Sequence, residues 1–276
     1  MLNKLKKRGF EIRLESHAQA ILERDFPEAL QDVEAVLSEV DVPITEIIGS
    51  GGGETKGTQR LRRALKDKGW EKKIFEIKKI INGVERESIS HEVDHVKQFG
   101  NEKNIALEIE WNNKDPFFDR DLENFKRLHV EGAISVGIII TRGSSLQEKM
   151  RDLVYRFTQE RKITSYTDLR ALGLIPTQKQ VNAVMARVKR KKSPLDFATA
   201  FTHKFVSDKF GQATTHWLKL ESRVHRGVGN PCPLLLIGMP ASIVSFDPTS
   251  RIEEPSPVYD VTYSEDDADD VDASDH

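Results

Sequence analysis

The run 132–141 constrains the fold of this chain more than any other segment. It reads Gly-Ala-Ile-Ser-Val-Gly-Ile-Ile-Ile-Thr, and a short, nearly continuous apolar run is typical of a strand that is buried on both faces. The segment 104–111 before it predicts another strand, and the segment 121–129 between the two predicts a helix. A strand, a helix and a second, buried strand in this order favour an α/β core with a crossover connection.

Apolar periodicity and turn residues assign most of the remaining chain. They predict helices at 15–40, 58–68, 145–165, 176–192 and in part of 193–220, and strands at 75–82, 88–97 and 234–238. We therefore expect a single folded domain over 1–251. Its core comprises about 45–142 and 231–240, with a largely helical elaboration over about 143–230.

Charge is distributed unevenly along the chain. The whole sequence has a net charge of −2, but ten acidic residues and no Lys or Arg follow Ile252. The preceding part therefore carries a net charge of +8, which suits an anionic partner. The segment 252–276 is too polar to pack into a core, and we expect an acidic, disordered tail there.

Composition also excludes several classes of protein. The single cysteine, Cys232, rules out an internal disulfide and a cysteine-rich zinc site. No apolar run approaches the ~20 residues of a membrane helix. The basic residues of 1–8 are not followed by the apolar segment of a secretory signal. We therefore expect a cytoplasmic protein.

Two carboxylates interrupt the strand predicted at 105–111. Because side chains alternate across a strand, Glu108 and Glu110 point to the same face. If 88–97 and 104–111 form a hairpin, Asp94 approaches Glu108 and three acidic side chains converge. Hard divalent cations such as Mg²⁺ prefer such oxygen ligands, including a backbone carbonyl such as that of Ile109. The alternative is a strand with one wet face, on which Glu108 and Glu110 are simply solvated.

The spacing of Asp94 and Glu108-Ile-Glu110 resembles the metal-binding motif of the PD-(D/E)XK nuclease superfamily. More narrowly, the chain resembles the BglII-like and BamHI-like type II restriction endonucleases. Four stretches carry this resemblance in the family's order, across roughly residues 45–240. They are Val-Asp-His-Val-Lys at 93–97, Ile-Ala-Leu-Glu-Ile-Glu at 105–110, the run 111–122, and the Gly-rich turn and apolar strand at 226–240.

The resemblance implies a mixed β-sheet flanked by helices, and a homodimer that cuts palindromic double-stranded DNA with Mg²⁺. It implies that Asp94 and Glu108 are metal ligands and that 143–230 serves DNA binding and dimerisation. Glu110 stands where most of the superfamily has lysine, BglII-like enzymes have glutamine and BamHI has glutamate. Its role as a general base is therefore open, and it could instead bind a second metal. A cognate DNA methyltransferase acting on the same site is the implied partner.

Polar and basic side chains near these motifs are candidates for DNA contacts. Helix N-termini and Arg, Lys, Ser and Thr side chains suit phosphates and base edges. The candidates are Lys56, Thr58 and Arg60 of a Gly-rich loop, Lys114, Arg142, Ser144, Ser145, Thr214, Thr215, His216, Arg223 and Arg226. An ordinary surface or packing role is the alternative for each. Glu54 is a candidate for a further site carboxylate, and Asp121 for a helix cap.

Two other functions share parts of this pattern. A DNA-binding protein with a degenerate nuclease fold would bind DNA in a salt-dependent way without cutting it. The glutamate at position 110, in place of lysine, favours that alternative. A repair or mobile-element nuclease would use the same metal chemistry but recognise DNA structure rather than sequence.

Overall fold

A six-stranded mixed sheet forms the centre of the protein. The computed structural model describes residues 1–49, 55–100 and 103–252. The strand order is β1-β7-β6-β5-β4-β3, and the strands are β1 (Glu11–Glu15), β3 (Glu71–Ile81), β4 (Val84–Phe99), β5 (Lys103–Glu110), β6 (Val136–Arg142) and β7 (Leu234–Met239). Strands β5, β6 and β7 run parallel, and each of the other pairs is antiparallel. Two short strands, β2 (Val42–Pro43) and β8 (Val244–Ser245), pair separately.

Helices cover both faces of the sheet. They are α1 (Asn3–Lys7), α2 (Ala18–Asp25), α3 (Pro27–Ser38), α4 (Ile44–Ile48), α5 (Lys56–Lys66), α6 (Phe117–Val130), α7 (Ser144–Glu160), α8 (Tyr166–Ala171), α9 (Gln178–Val188), α10 (Phe197–Lys209) and α11 (Trp217–His225). The central strand β6 alternates between two apolar clusters. Ile138 and Ile140 join the cluster of α7 and α10, whereas Ile139 joins that of α6 and α11. The predicted mixed sheet with flanking helices is thus confirmed.

The edges of the sheet differ from the sequence-based expectation. Residues 11–15 were assigned no strand, yet they pair with β7 as the edge strand β1. Their Glu-Ile-Arg-Leu-Glu pattern is half-buried throughout, so it lacks the apolar run of the central strands. At the other edge, β3 and β4 are longer than the strands predicted at 75–82 and 88–97, and they form a hairpin closed by Asn82-Gly83 with positive φ at both residues. That dipeptide is a strong hairpin signal, which the sequence analysis did not use.

The helix predicted at 15–40 is two helices, because Phe26 ends α2 and Pro27 begins α3. Most of the predicted tail and Glu54 lie outside the described residues. Ile252, the first residue of that predicted tail, is buried, and its N–H donates to the Leu172 carbonyl. None of the helices in the described ranges is long and apolar enough to cross a membrane.

Candidate active site

The end of the β4–β5 ladder brings the predicted metal-binding residues together. The ladder runs from the Phe99–Lys103 pair to the His95–Leu107 pair and continues no further. The next two residues along it, Asp94 and Glu108, therefore lie side by side on the same face. The Asp94 N–H donates to Glu108 Oε1 at 3.2 Å. A side-chain carboxylate thus binds the Asp94 N–H where the β4–β5 ladder ends.

Glu108 and Glu110 are not solvated. They belong to the face of β5 that packs against α6, and they are only 6% and 3% exposed. The wet-face alternative for these two residues was therefore wrong. Asp94, in contrast, is exposed at the mouth of the same cluster. The carboxylates consequently run from an open entrance at Asp94 to a buried end at Glu110.

The backbone carbonyl of Ile109 is a further oxygen at the place where β4 and β5 separate. The Leu107 carbonyl accepts a hydrogen bond from His95 Nδ1 on β4 at 3.2 Å, whereas the Glu110 carbonyl accepts from Thr141 Oγ1 on β6 at 2.7 Å. Because carbonyl groups alternate along a strand, the Ile109 carbonyl points toward β4. It therefore lies on the side where β4 has already separated from β5.

A fourth carboxylate, that of Asp121, reaches the cluster from α6. The sequence analysis interpreted Asp121 as a helix cap, and this was wrong, because α6 begins at Phe117 and Asp121 lies inside it, 3% exposed. Arg120 Nε donates to Asp121 Oδ1 at 3.0 Å, whereas Asp121 Oδ2 is buried and has no hydrogen-bond partner within the described chain. A usable signal was the position of Asp121 three residues after Phe118 and four before Phe125, on the apolar stripe of the helix.

Burial and mutual repulsion perturb these acids. Burial raises the pKa of Glu108 and of Glu110 well above 4.5, and the neighbouring Asp121 carboxylate raises both further. Burial also raises the pKa of Asp121, against the opposing effect of Arg120. Without a cation, the cluster is therefore inclined to retain protons that ordinary carboxylates release.

The donor set fits a hard divalent cation, although the side chains are not gathered around one position. Within residues 1–49, 55–100 and 103–252, no three His, Cys, Asp or Glu side chains are already arranged to hold a metal ion. The oxygens available are nevertheless the kind that Mg²⁺ prefers, namely carboxylates and a backbone carbonyl. The orphaned Asp121 Oδ2 is a further acceptor that lacks a positive partner. Assignment of Asp94, Glu108 and Ile109 as ligands stays a prediction.

Comparison with known proteins decides the family. A family model described as restriction endonuclease BglII/BglIII matches residues 10–239. The chain belongs to the BglII/BglIII restriction endonuclease family. It is thus placed among the type II restriction endonucleases of the PD-(D/E)XK superfamily, which are site-specific deoxyribonucleases acting on double-stranded DNA. No curated protein matches the chain significantly.

Arg142 of this restriction endonuclease has no exposed surface with which to contact DNA. It is fully buried, and its donors bind Trp111 O at 2.7 Å, Gln147 Oε1 at 2.6 Å, Thr214 Oγ1 at 2.7 Å and Thr215 O at 2.6 Å. Burial lowers the pKa of Arg142 to about 9. The structure therefore replaces the predicted DNA contact with an internal clamp that joins the end of β5 to the segment before α11.

The same segment holds two further candidates, Thr215 and His216, inside the protein, whereas Thr214 is half-buried. Thr215 is fully buried, its Oγ1 accepts from the Asn113 N–H, and Lys114 and Thr214 form an isolated β-bridge. His216 is 1% exposed, and burial lowers its pKa to about 4, so its ring is neutral at pH 7. As they stand, the Thr215 and His216 side chains do not reach the surface. Lys114, the other residue of the β-bridge, is exposed.

The other DNA-contact candidates differ in how firmly the protein holds them. Arg223 is nearly buried and binds Asp119 Oδ2 at 2.7 Å, which does not support a DNA contact, whereas Arg226 is exposed. At α7, the Ser144 N–H donates to Glu11 Oε2 at 2.6 Å and Ser145 Oγ accepts from the Ala241 N–H at 3.1 Å. Helix α5 begins at Lys56, two residues earlier than predicted. Within it, Thr58 Oγ1 lies 2.9 Å from Thr55 Oγ1, and Arg60 Nη2 donates to Glu46 Oε2 at 3.0 Å.

Proposed function

We propose that the chain is a Mg²⁺-dependent restriction endonuclease that makes double-strand cuts at a short palindromic DNA site. The observation that carries this proposal is the pairing of Asp94 with Glu108 where the β4–β5 ladder ends. Phosphodiester hydrolysis needs positive charge at the phosphate and an activated water, and clustered carboxylates in a half-open site are suited to hold the cation.

Asp94, Glu108 and the Ile109 carbonyl are the proposed ligands of Mg²⁺. When bound, Mg²⁺ supplies positive charge to the phosphate and makes a water molecule more acidic. Asp94 is exposed and so meets the substrate first, whereas the buried Glu108 fixes the inner side of the site. Glu110 Oε2 accepts from Asn113 Nδ2 at 2.9 Å, which orients its carboxyl group. We propose cation binding, the second of its two open roles, for Glu110, which lies beside a further buried acid, Asp121.

The proposed partners follow from a palindromic substrate. Two copies related by a two-fold axis present identical centres to the two strands, so we propose a homodimer. A methyltransferase that modifies the same site would protect the host DNA without contacting this chain. Lys114 and Arg226 are exposed, and we retain them as proposed phosphate contacts together with Lys56 and Thr58 at the start of α5.

The first experiment incubates the purified full chain with unmethylated phage DNA, with Mg²⁺ or with EDTA. Discrete fragments that appear only with Mg²⁺ support the proposal, and sequencing their ends gives the recognition site. Binding without cutting, repeated on methylated DNA with the same result, supports a degenerate nuclease instead. Cutting that follows branches or ends rather than sequence supports a repair or mobile-element nuclease.

The second experiment removes one proposed ligand. In Asp94→Ala we expect cleavage to fall at least about a hundredfold with DNA binding largely retained, because even partners of metal ligands are worth about 10–100-fold. The matched control is Glu92→Ala, which removes an exposed acid from the same strand. Cleavage by Asp94→Ala at the rate of the control would overturn the assignment.

A further inference from the structure

Asp121 is the one acid of the cluster that neither the motif nor the family match assigns. Its two oxygens have different surroundings. Oδ1 is held by Arg120, whose Nε and Nη2 both lie 3.0 Å away, whereas Oδ2 is buried without a partner among the described residues. The Asp121 side chain is about 2% exposed and the Arg120 side chain about 50%, so the ion pair leads from the protein surface to the buried end of the cluster.

A buried carboxylate oxygen such as Asp121 Oδ2 is satisfied by a hydrogen-bond donor or by a cation. Asp121 and Glu110 are close enough for their carboxyl groups to share a hydrogen bond if one of them carries a proton. If both are ionised, two carboxylates face each other in a buried site, which is costly unless a cation lies between them. Asp94, whose N–H binds Glu108 in the same cluster, is exposed to solvent.

We infer that Asp121 is a fourth acidic residue of the nuclease centre and that its Oδ2 shares a divalent cation with Glu110. This inference rests on the proposed function, since it concerns the same centre. Arg120 acts as a positioning residue, because it binds Oδ1 and leaves Oδ2 without a partner among the described residues. The arrangement gives this chain an acid from α6 in addition to those of β4 and β5.

The competing explanation is a purely structural ion pair, in which Asp121 serves only to hold Arg120. The two explanations predict opposite effects on the metal-free protein. A structural partner stabilises the fold, so Asp121→Asn would lower the melting temperature in EDTA. A cation ligand without its cation adds a further buried acid beside Glu108 and Glu110, so the same substitution would raise the melting temperature at alkaline pH, where these acids are ionised.

The test titrates Mn²⁺, as a probe for Mg²⁺, into the full-length chain and its variants by calorimetry, with free Mn²⁺ followed by electron paramagnetic resonance. We expect Asp121→Asn to weaken Mn²⁺ binding at least about tenfold. Glu123→Gln is the matched control, since it removes a half-exposed acid of the same helix that pairs with Lys126, and it should bind Mn²⁺ like the wild type. Unchanged Mn²⁺ affinity in Asp121→Asn, or a lower melting temperature in EDTA, overturns the inference.

A double variant tests the sharing itself. If one cation bridges Glu110 and Asp121, Glu110→Gln combined with Asp121→Asn weakens Mn²⁺ binding no more than the stronger single variant does. Single variants that each abolish a different one of two Mn²⁺ binding events would mean two separate sites and would refute the shared cation. If the wild type cuts DNA but Asp121→Asn binds Mn²⁺ normally, only this inference fails. If the wild type neither cuts nor binds Mn²⁺, the proposed function fails with it.

Discussion

Replacing Glu110 with glutamine should stabilise the metal-free protein, and increasingly so as the pH rises. Glutamine matches glutamate in size and can keep its amide oxygen toward Asn113 Nδ2, which now donates to Glu110 Oε2 at 2.9 Å. Its amide N–H is then available to the neighbouring Asp121 carboxylate, whose buried Oδ2 has no partner in the described structure. The substitution therefore supplies a missing donor and removes a buried negative charge.

The pH dependence follows from the direction of the pKa shift. Burial raises the pKa of Glu110 above its ordinary 4.5, so the folded state binds this proton more tightly than the unfolded state. Wild-type stability is then lost as the pH rises from 4.5 toward the folded-state pKa, by up to about 1.4 kcal/mol per pH unit. Glutamine does not titrate, so the advantage of the variant grows over that range, by roughly 3–5 °C per pH unit.

The assay is thermal unfolding in EDTA at constant ionic strength between pH 4.5 and 8. The difference in melting temperature between Glu110→Gln and the wild type should be small at the acid end and largest at the alkaline end. Glu123→Gln, with its half-exposed carboxylate, should follow the wild type at every pH. A difference that is constant with pH, or a variant less stable than the wild type at pH 8, would refute the reasoning.

Two further predictions concern regions outside the acidic cluster. Arg142→Met should cost about 2–4 kcal/mol in urea unfolding, because it leaves Trp111 O and Thr215 O without their buried donor, whereas Arg151→Met on the exposed side of α7 should be neutral. Normal stability combined with weaker DNA binding would restore Arg142 as a DNA contact. Deleting 253–276, which removes ten acidic residues, should strengthen DNA binding at low salt and have little effect at high salt. Unchanged affinity at low salt would exclude the tail as an electrostatic competitor.

The central strands could be predicted from the sequence because their pattern is local. Strand β6 is an apolar run, and Glu108 and Glu110 alternate with apolar neighbours, so both the strands and the shared face of the acids follow from period two. Edge strand β1 could not be predicted in this way, because its half-buried residues show no such run. Its strand conformation depends on pairing with β7, more than 200 residues away.

The roles expected for Arg142 and Asp121 were wrong for the same physical reason. Arg142 and Asp121 carry full charges, and composition alone favours their exposure. Each is buried because the fold packs other elements around it, the segment with Thr214 and Thr215 around Arg142 and the β5 carboxylates beside Asp121. Nothing within a few residues encodes these partners. An acid on the apolar stripe of α6 was the one local indication.

If the acidic cluster binds a divalent cation as proposed, its charge couples cation binding to DNA binding. Asp94, Glu108, Glu110 and Asp121 carry four negative charges when ionised, and Arg120 offsets one of them. A DNA phosphate brought to this cluster without a cation adds a further negative charge to a partly buried site and is repelled. Cation binding therefore favours DNA binding at the centre, and by linkage DNA favours the cation by the same factor. DNA affinity measured in EDTA consequently reports the basic surface around the centre, and only the increase on adding a divalent cation reports the four acids themselves.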